Sequence, residues 1–95
     1  MAERENVGAD IHVAGLVQGV GYRYFTERAA LRNGVVGWSK NLPDGRVMLD
    51  VEGDKVAIES FIRELEAGPS LARVDRVDVS WKQFRGRYDK FFIKF

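Results

Sequence analysis

The chain has 95 residues, with 15 Lys+Arg against 14 Asp+Glu, a formal net charge of +1 and no cysteine. That length suits one domain with a single core, and the near-neutral balance excludes the broad basic surface of a generic nucleic-acid binder. Disulfide and thiolate chemistry are unavailable, and a single histidine, His12, cannot build a histidine metal cage.

Residues 1–8 are polar and charged and lack the apolar stretch of a signal peptide. They read as a flexible tail ahead of a domain over 9–95. No apolar run is long enough to cross a membrane. Together with the missing cysteines, this leads to the expectation of a cytoplasmic protein, and the one-domain length to that of a free-standing one.

In chain order, Ile11 and Val13 alternate with Asp10 and His12, the period of a strand with one buried face. A glycine-rich loop follows, Gly15 to Arg23. From Arg23 to Asn33 the pattern turns helical, with Tyr22, Phe25 and Ala29 near one face and Asn33-Gly34 as the stop. Val35 to Asn41 reads as a second strand, with Val36 and Trp38 sharing a face. Leu42-Pro43-Asp44-Gly45 is a turn. Val47, Leu49 and Val51 alternate with Met48, Asp50 and Glu52 in a third strand, paired with the second as a hairpin.

Asp54 is a candidate N-cap for a second helix. Ile58, Phe61, Ile62 and Leu65 form its amphipathic stripe, and Gly68-Pro69 ends it. Val77, Val79 and Trp81 alternate with Asp78, Ser80 and Lys82 in a fourth strand. Arg85 to Lys90 reads as a loop, and Phe91, Ile93 and Phe95 as a short last strand.

The order β-α-β-β-α-β plus a terminal strand predicts an α+β, ferredoxin-like sandwich, with both helices on one face of an antiparallel sheet. Strands one and three should be central, with strand two beside strand three. Strands one and two then run the same way, about 10 Å apart at two strand spacings. That topology brings Asn41 to the sheet edge that carries the glycine loop.

The loop itself suits an anion. Glycines at 19 and 21 open backbone angles at which successive N–H groups converge. The helix that follows starts with unpaired N–H groups and a partial positive charge, a good seat for phosphate. Arg23 adds a permanent charge and a planar donor fork. A tight turn with a solvated arginine is the plainer alternative. The loop lacks the Gly-Lys-Ser/Thr of a nucleotide P-loop and the spacing of a dinucleotide fingerprint.

The run Gly15-Leu16-Val17-Gln18-Gly19-Val20-Gly21-Tyr22-Arg23 resembles the signature of the acylphosphatase family, and Gly37-Trp38-Ser39-Lys40-Asn41-Leu42-Pro43-Asp44-Gly45-Arg46-Val47 resembles its second motif. The similarity runs from about Asp10 to Phe95. It implies hydrolysis of the carboxyl–phosphate bond of acyl phosphates without metal or cofactor. It further implies a phosphoryl group held by the amides of Val17, Gln18, Gly19, Val20, Gly21 and Tyr22 and by the charge of Arg23. Asn41 would hold the attacking water. Tyr22 stands where the family often has phenylalanine. The expected partners are a small acyl phosphate of unspecified acyl group and inorganic phosphate, as product and competitive inhibitor. Nucleic acid and membrane are not expected partners, and a monomer is expected, the last strand covering a sheet edge.

Other tempting residues have plainer readings. His12 reads as an outward strand residue, Asp44 as a turn residue, and Asp50 and Glu52 as solvated carboxylates. Arg85 and Arg87 read as a solvated loop. Trp38, Trp81, Phe91, Phe92 and Phe95 read as packing residues rather than stacking platforms. Two rival functions share the topology. One is an RNA-binding module, disfavoured because the third strand lacks aromatics and carries Asp50 and Glu52. The other is a regulatory domain that binds phosphate or acyl phosphate without turnover.

Overall fold

The computed structural model describes residues 4–95. Strand β1 (Asn6–Leu16) leads through the glycine loop into helix α1 (Tyr22–Asn33). Strands β2 (Val36–Asn41) and β3 (Val47–Asp54) form the hairpin. Helix α2 (Lys55–Ala67) and strands β4 (Arg73–Gln83) and β5 (Phe91–Lys94) complete the chain.

The sheet order is β4-β1-β3-β2-β5. β1 and β3 are central and β2 lies beside β3, as the element order predicts. Four strands pair antiparallel, whereas β5 joins β2 in parallel. That last pairing makes the sheet mixed, which the element order alone did not say.

Several boundaries differ from the sequence reading. β1 begins at Asn6, and Asn6, Val7 and Gly8 pair with Asp54, Gly53 and Glu52. These three residues, expected in the tail, therefore extend the central strand, and residues 1–3 lie outside the described region. β4 begins at Arg73, four residues before the expected Val77. Charged side chains break the alternation there, yet the backbone still pairs with β1 as far as Leu16. Asp54 precedes α2 in extended conformation without capping it through its side chain. Its carboxylate instead accepts a bond from the Glu5 amide at 3.3 Å.

The core lies between sheet and helices. Ile11, Val13, Leu49 and Val51 meet Ile58, Phe61 and Leu65 of α2 with no exposed surface. α1 buries Tyr22, Thr26, Ala29 and Ala30. The two alanines let the helix sit close to the sheet, and Phe25 is only partly buried. Burying each large aliphatic or aromatic side chain contributes about 1.5–3 kcal/mol before entropy is counted.

The opposite sheet face corrects the reading of Asp50 and Glu52. Both are buried, Glu52 completely, because the segment after β4 folds back across that face. The Arg85 and Arg87 amides each donate to Glu52 at 2.8 Å. The Arg87 guanidinium grips Asp50 with two bonds, at 2.8 and 3.2 Å. Lys82 bridges Asp50 and Asp10, and the Tyr88 hydroxyl donates to Asp50 while accepting from the Trp38 indole. Burial pushes both carboxyls up, but these partners outweigh it and hold each below its ordinary range. The alternation of β3 correctly put Asp50 and Glu52 on the face away from the helices. A strap from 33 to 38 residues further along the chain decided that this face is covered.

Candidate active site

Register explains how the two halves of the site meet. Val13 pairs with Val47, and Val47 pairs with Asn41. Asn41 therefore stands level with Val13, two residues before Gly15 where the loop begins.

Two kinds of glycine shape the loop. At Gly15, β1 shifts register against β4, and an added Cβ would lie 2.1 Å from the Arg73 carbonyl oxygen. Only glycine allows that approach. Gly19 and Gly21 have φ of 74° and 75° with open space beside them, so backbone conformation alone selects them. Gly21 is the N-cap of α1 and has no side chain to occupy the first amides. The first helical bond closes from Phe25 N–H to the Gly21 carbonyl. The amides of Tyr22, Arg23 and Tyr24 are thus left without an intrahelical partner, the arrangement that favours an anion at a helix start.

Val17, Gly19, Gly21, Tyr22, Arg23, Tyr24 and Asn41 line one cleft of about 180 Å³. That is smaller than the roughly 300–1,000 Å³ of pockets that enclose drug-sized ligands. It suits a phosphate-sized group whose substituent projects outward. A larger hollow of about 380 Å³ lies between the end of α1 and β5, lined by Ala30, Leu31, Val35 and Phe91 among others. Its walls are mainly apolar, and it holds neither the loop nor Arg23.

Arg23 is held from the far end of the chain. Its Nη1 donates to the Lys94 carbonyl at 3.1 Å, and the Phe95 ring lies 4.8 Å from its guanidinium carbon. A neutral carbonyl and an aromatic ring orient the guanidinium without neutralising it. Asn41 supplies the complementary feature: its Oδ1 is buried and has no hydrogen-bond partner among the described residues. A buried acceptor without a partner costs free energy and calls for a functional account.

The sequence-predicted residues separate here into two groups. Val17, Gly19, Gly21, Tyr22, Arg23 and Asn41 line the cleft together. Gln18 and Val20 do not line it, although their backbone belongs to the same loop. The Tyr22 side chain is buried in the core, donates to the Leu65 carbonyl at 2.8 Å, and has its hydroxyl pKa raised by burial. Only its backbone faces the site's chemistry. His12 lies on β1 opposite Met48 and Asp78, away from the cleft residues.

Three supporting side chains escaped the sequence reading. The Thr26 hydroxyl, fully buried, bonds the Arg23 carbonyl at 2.6 Å and the Ser39 hydroxyl at 3.0 Å. This ties the first turn of α1 to β2, two residues before Asn41. Thr26 carried a signal, a polar residue on the helix face of Tyr22 and Ala29, whereas Ser39 lies on the β2 face opposite the apolar Val36 and Trp38 and carried none. Gln18 uses its side chain as well as its backbone, donating from Nε2 to the Leu42 and Arg46 carbonyls. Nothing in the spacing announced that contact.

A small α+β domain with an amide loop, an unneutralised arginine and an unpartnered acceptor in one cleft has the chemistry to seat an oxyanion such as phosphate. The comparisons narrow that reading. The acylphosphatase family model matches residues 9–93. The acylphosphatase of Anaeromyxobacter dehalogenans is 46% identical over the whole of both chains. That of Thermus thermophilus is 51% identical over 78% of this chain and 84% of its own. The crystal structure of acylphosphatase from Bacillus subtilis superposes with a TM-score of 0.90 at 34% identity, covering 94% of this chain and 99% of that one. The chain belongs to the acylphosphatase family.

Proposed function

We propose that this protein hydrolyses acyl phosphates to a carboxylate and inorganic phosphate, through water aimed by Asn41 at a phosphoryl group held by the loop and Arg23. The observation that carries this reading is the convergence, in one small cleft, of the first amides of α1, the Arg23 guanidinium and the buried, unpartnered Oδ1 of Asn41. The named relatives support the reaction class.

In this reading the amides of the loop and first helical turn, with Arg23, bind the three peripheral oxygens of the phosphoryl group. Charge spreads over those oxygens in the transition state, so fixed donors there lower the barrier. Asn41 Oδ1 accepts a hydrogen from water and points a lone pair of that water at phosphorus. The new P–O bond forms as the bond to the acyl oxygen breaks, and the carboxylate leaves with the electron pair. A carboxylate has low proton affinity and needs no general acid. The water's second proton passes to a phosphoryl oxygen of the substrate, since Asn41 cannot take a proton at neutral pH. No step requires a metal or cofactor.

The cleft's size supports broad tolerance of the acyl group, which projects beyond it. The sheet face away from the helices offers little to RNA, because Asp10, His12, Met48, Asp50 and Glu52 occupy it on the two central strands and the strap crosses it. The decisive experiment measures hydrolysis of an aromatic acyl phosphate in the presence of chelator, for the protein and for Arg23→Ala. The expected result is turnover that needs Arg23 and is inhibited competitively by inorganic phosphate. Equal rates for the two proteins would overturn the reading. Phosphate binding without turnover would favour the regulatory alternative.

A further inference from the structure

The Gln18 backbone belongs to the phosphate loop, but its side chain serves the other half of the site. Nε2 sends one hydrogen to the Leu42 carbonyl at 2.8 Å and the other to the Arg46 carbonyl at 2.9 Å. Those carbonyls form the neck of the β2–β3 hairpin. The Leu42 amide donates to the Arg46 carbonyl at 2.8 Å, and the Gly45 amide to the Leu42 carbonyl at 3.2 Å. A carbonyl oxygen has two lone pairs, so Gln18 takes the second on each. The tip beyond is stiffened by Asp44, which accepts bonds from the Arg46 amide and guanidinium. Asn41 is the residue directly before this neck.

Each half of the site has its own anchors. The loop is held by β1 and α1, and Arg23 by the Lys94 carbonyl. Asn41 is held by pairing with Val47. Two side-chain links then join the halves. Thr26 with Ser39 lies in the core, and Gln18 bonds the residue next to Asn41. We infer that Gln18 is a positioning residue, whose side-chain amide clips the loop to the hairpin neck and sets the span from the phosphate cradle to Asn41 Oδ1. The inference rests on acyl phosphate hydrolysis as the function of the site. Glutamine suits the task because it places both hydrogens of one nitrogen at this reach. Asparagine is one methylene shorter, and methionine has similar length but nothing to donate.

The test uses Gln18→Met and Gln18→Asn in the full chain, with kcat and KM for an aromatic acyl phosphate, Ki for inorganic phosphate and the thermal midpoint. A small displacement between reactants is enough to cost orders of magnitude in rate. Both variants should lose about tenfold in kcat, while Ki for phosphate stays within about threefold, because the cradle keeps its own anchors. In an Asn41→Ala background, Gln18→Met should cost less than about twofold more, since the residue through which it acts is gone. The inference is overturned if kcat is unchanged and only the thermal midpoint falls. It is also overturned if Ki rises in step with the loss of kcat, or if the full loss persists without Asn41. No turnover in the unsubstituted protein would overturn the functional reading and this inference together. The other outcomes overturn this inference alone.

Discussion

Two polar regions of this molecule handle their hydrogen bonds in opposite ways. On the strap-covered sheet face, Asp50 and Glu52 are surrounded by Arg87, Lys82, Tyr88 and two strap amides. In the cleft, Asn41 Oδ1 is buried with no partner among the described residues, and the opening amides of α1 have no capping side chain there. Both regions sit on the same sheet and involve charged or polar groups of similar chemistry. A polar group with every partner in place holds the fold together. One left without partners inside a cleft keeps its bonding capacity for something that arrives.

The contrast can be broken most sharply at the cleft. Arg23→Ala and Asn41→Ala should each lower turnover at least about a hundredfold, the low end of what losing one well-placed hydrogen-bonding group costs. Their thermal midpoints should change little, which steady-state kinetics and a melting curve measure together. If either variant instead unfolds readily with its specific activity intact, cleft and strap do not differ in kind.

Glu52→Ala should show the reverse pattern. It strips the acceptor from two strap amides and a partner from Arg87, and should cost about 3 kcal/mol of stability, or roughly 4–8 °C in melting temperature per kcal/mol for a domain of this size. Turnover per folded molecule should be preserved. Denaturant titration paired with an activity assay decides.

Acid should weaken the strap through the same carboxylates. Asp50 and Glu52 both titrate below their ordinary range in the folded state. Their contribution is therefore complete at neutral pH, above the unfolded carboxyl value of about 4. It fades as pH falls below that value and vanishes through the lowered folded values. Stability should fall in that window, and Asp50→Asn should flatten the fall. An unchanged pH slope in the variant would remove Asp50 from the account.

The smallest effect is expected at Phe95. Its ring beside Arg23 contributes about 0.5–1 kcal/mol at an exposed position. Phe95→Ala should weaken phosphate inhibition roughly two- to fivefold, the equivalent of that energy, and leave the melting temperature nearly unchanged.

Much of the site was legible before the fold was known. Glycines at 19 and 21 followed by Arg23 already describe an amide loop at a helix start. The element order brought Asn41 to the same edge, and the register through Val13, Val47 and Asn41 bears this out. What escaped were contacts between side chains distant in sequence. Gln18 reaches carbonyls 24 and 28 residues away, and no local pattern encodes a bond of that span. Thr26 and Ser39 meet only because α1 packs on β2. Asp50 and Glu52 misled for a related reason, since an alternating strand is silent about what later covers its outer face.

The sequence by itself determined the period of most of each strand, the two helices and the amphipathic stripe of the second, the loop that only glycine can form, and the charge at its end. Those follow from local sterics and from apolar spacing along a few consecutive residues. Tertiary structure alone decided that the last strand joins in parallel and brings the Lys94 carbonyl to Arg23. It also decided that a strap buries Asp50 and Glu52, and that Asn41 Oδ1 meets no partner among the described residues. Each of these depends on segments tens of residues apart sharing one place, which the packing of the whole sheet selects and no local propensity contains.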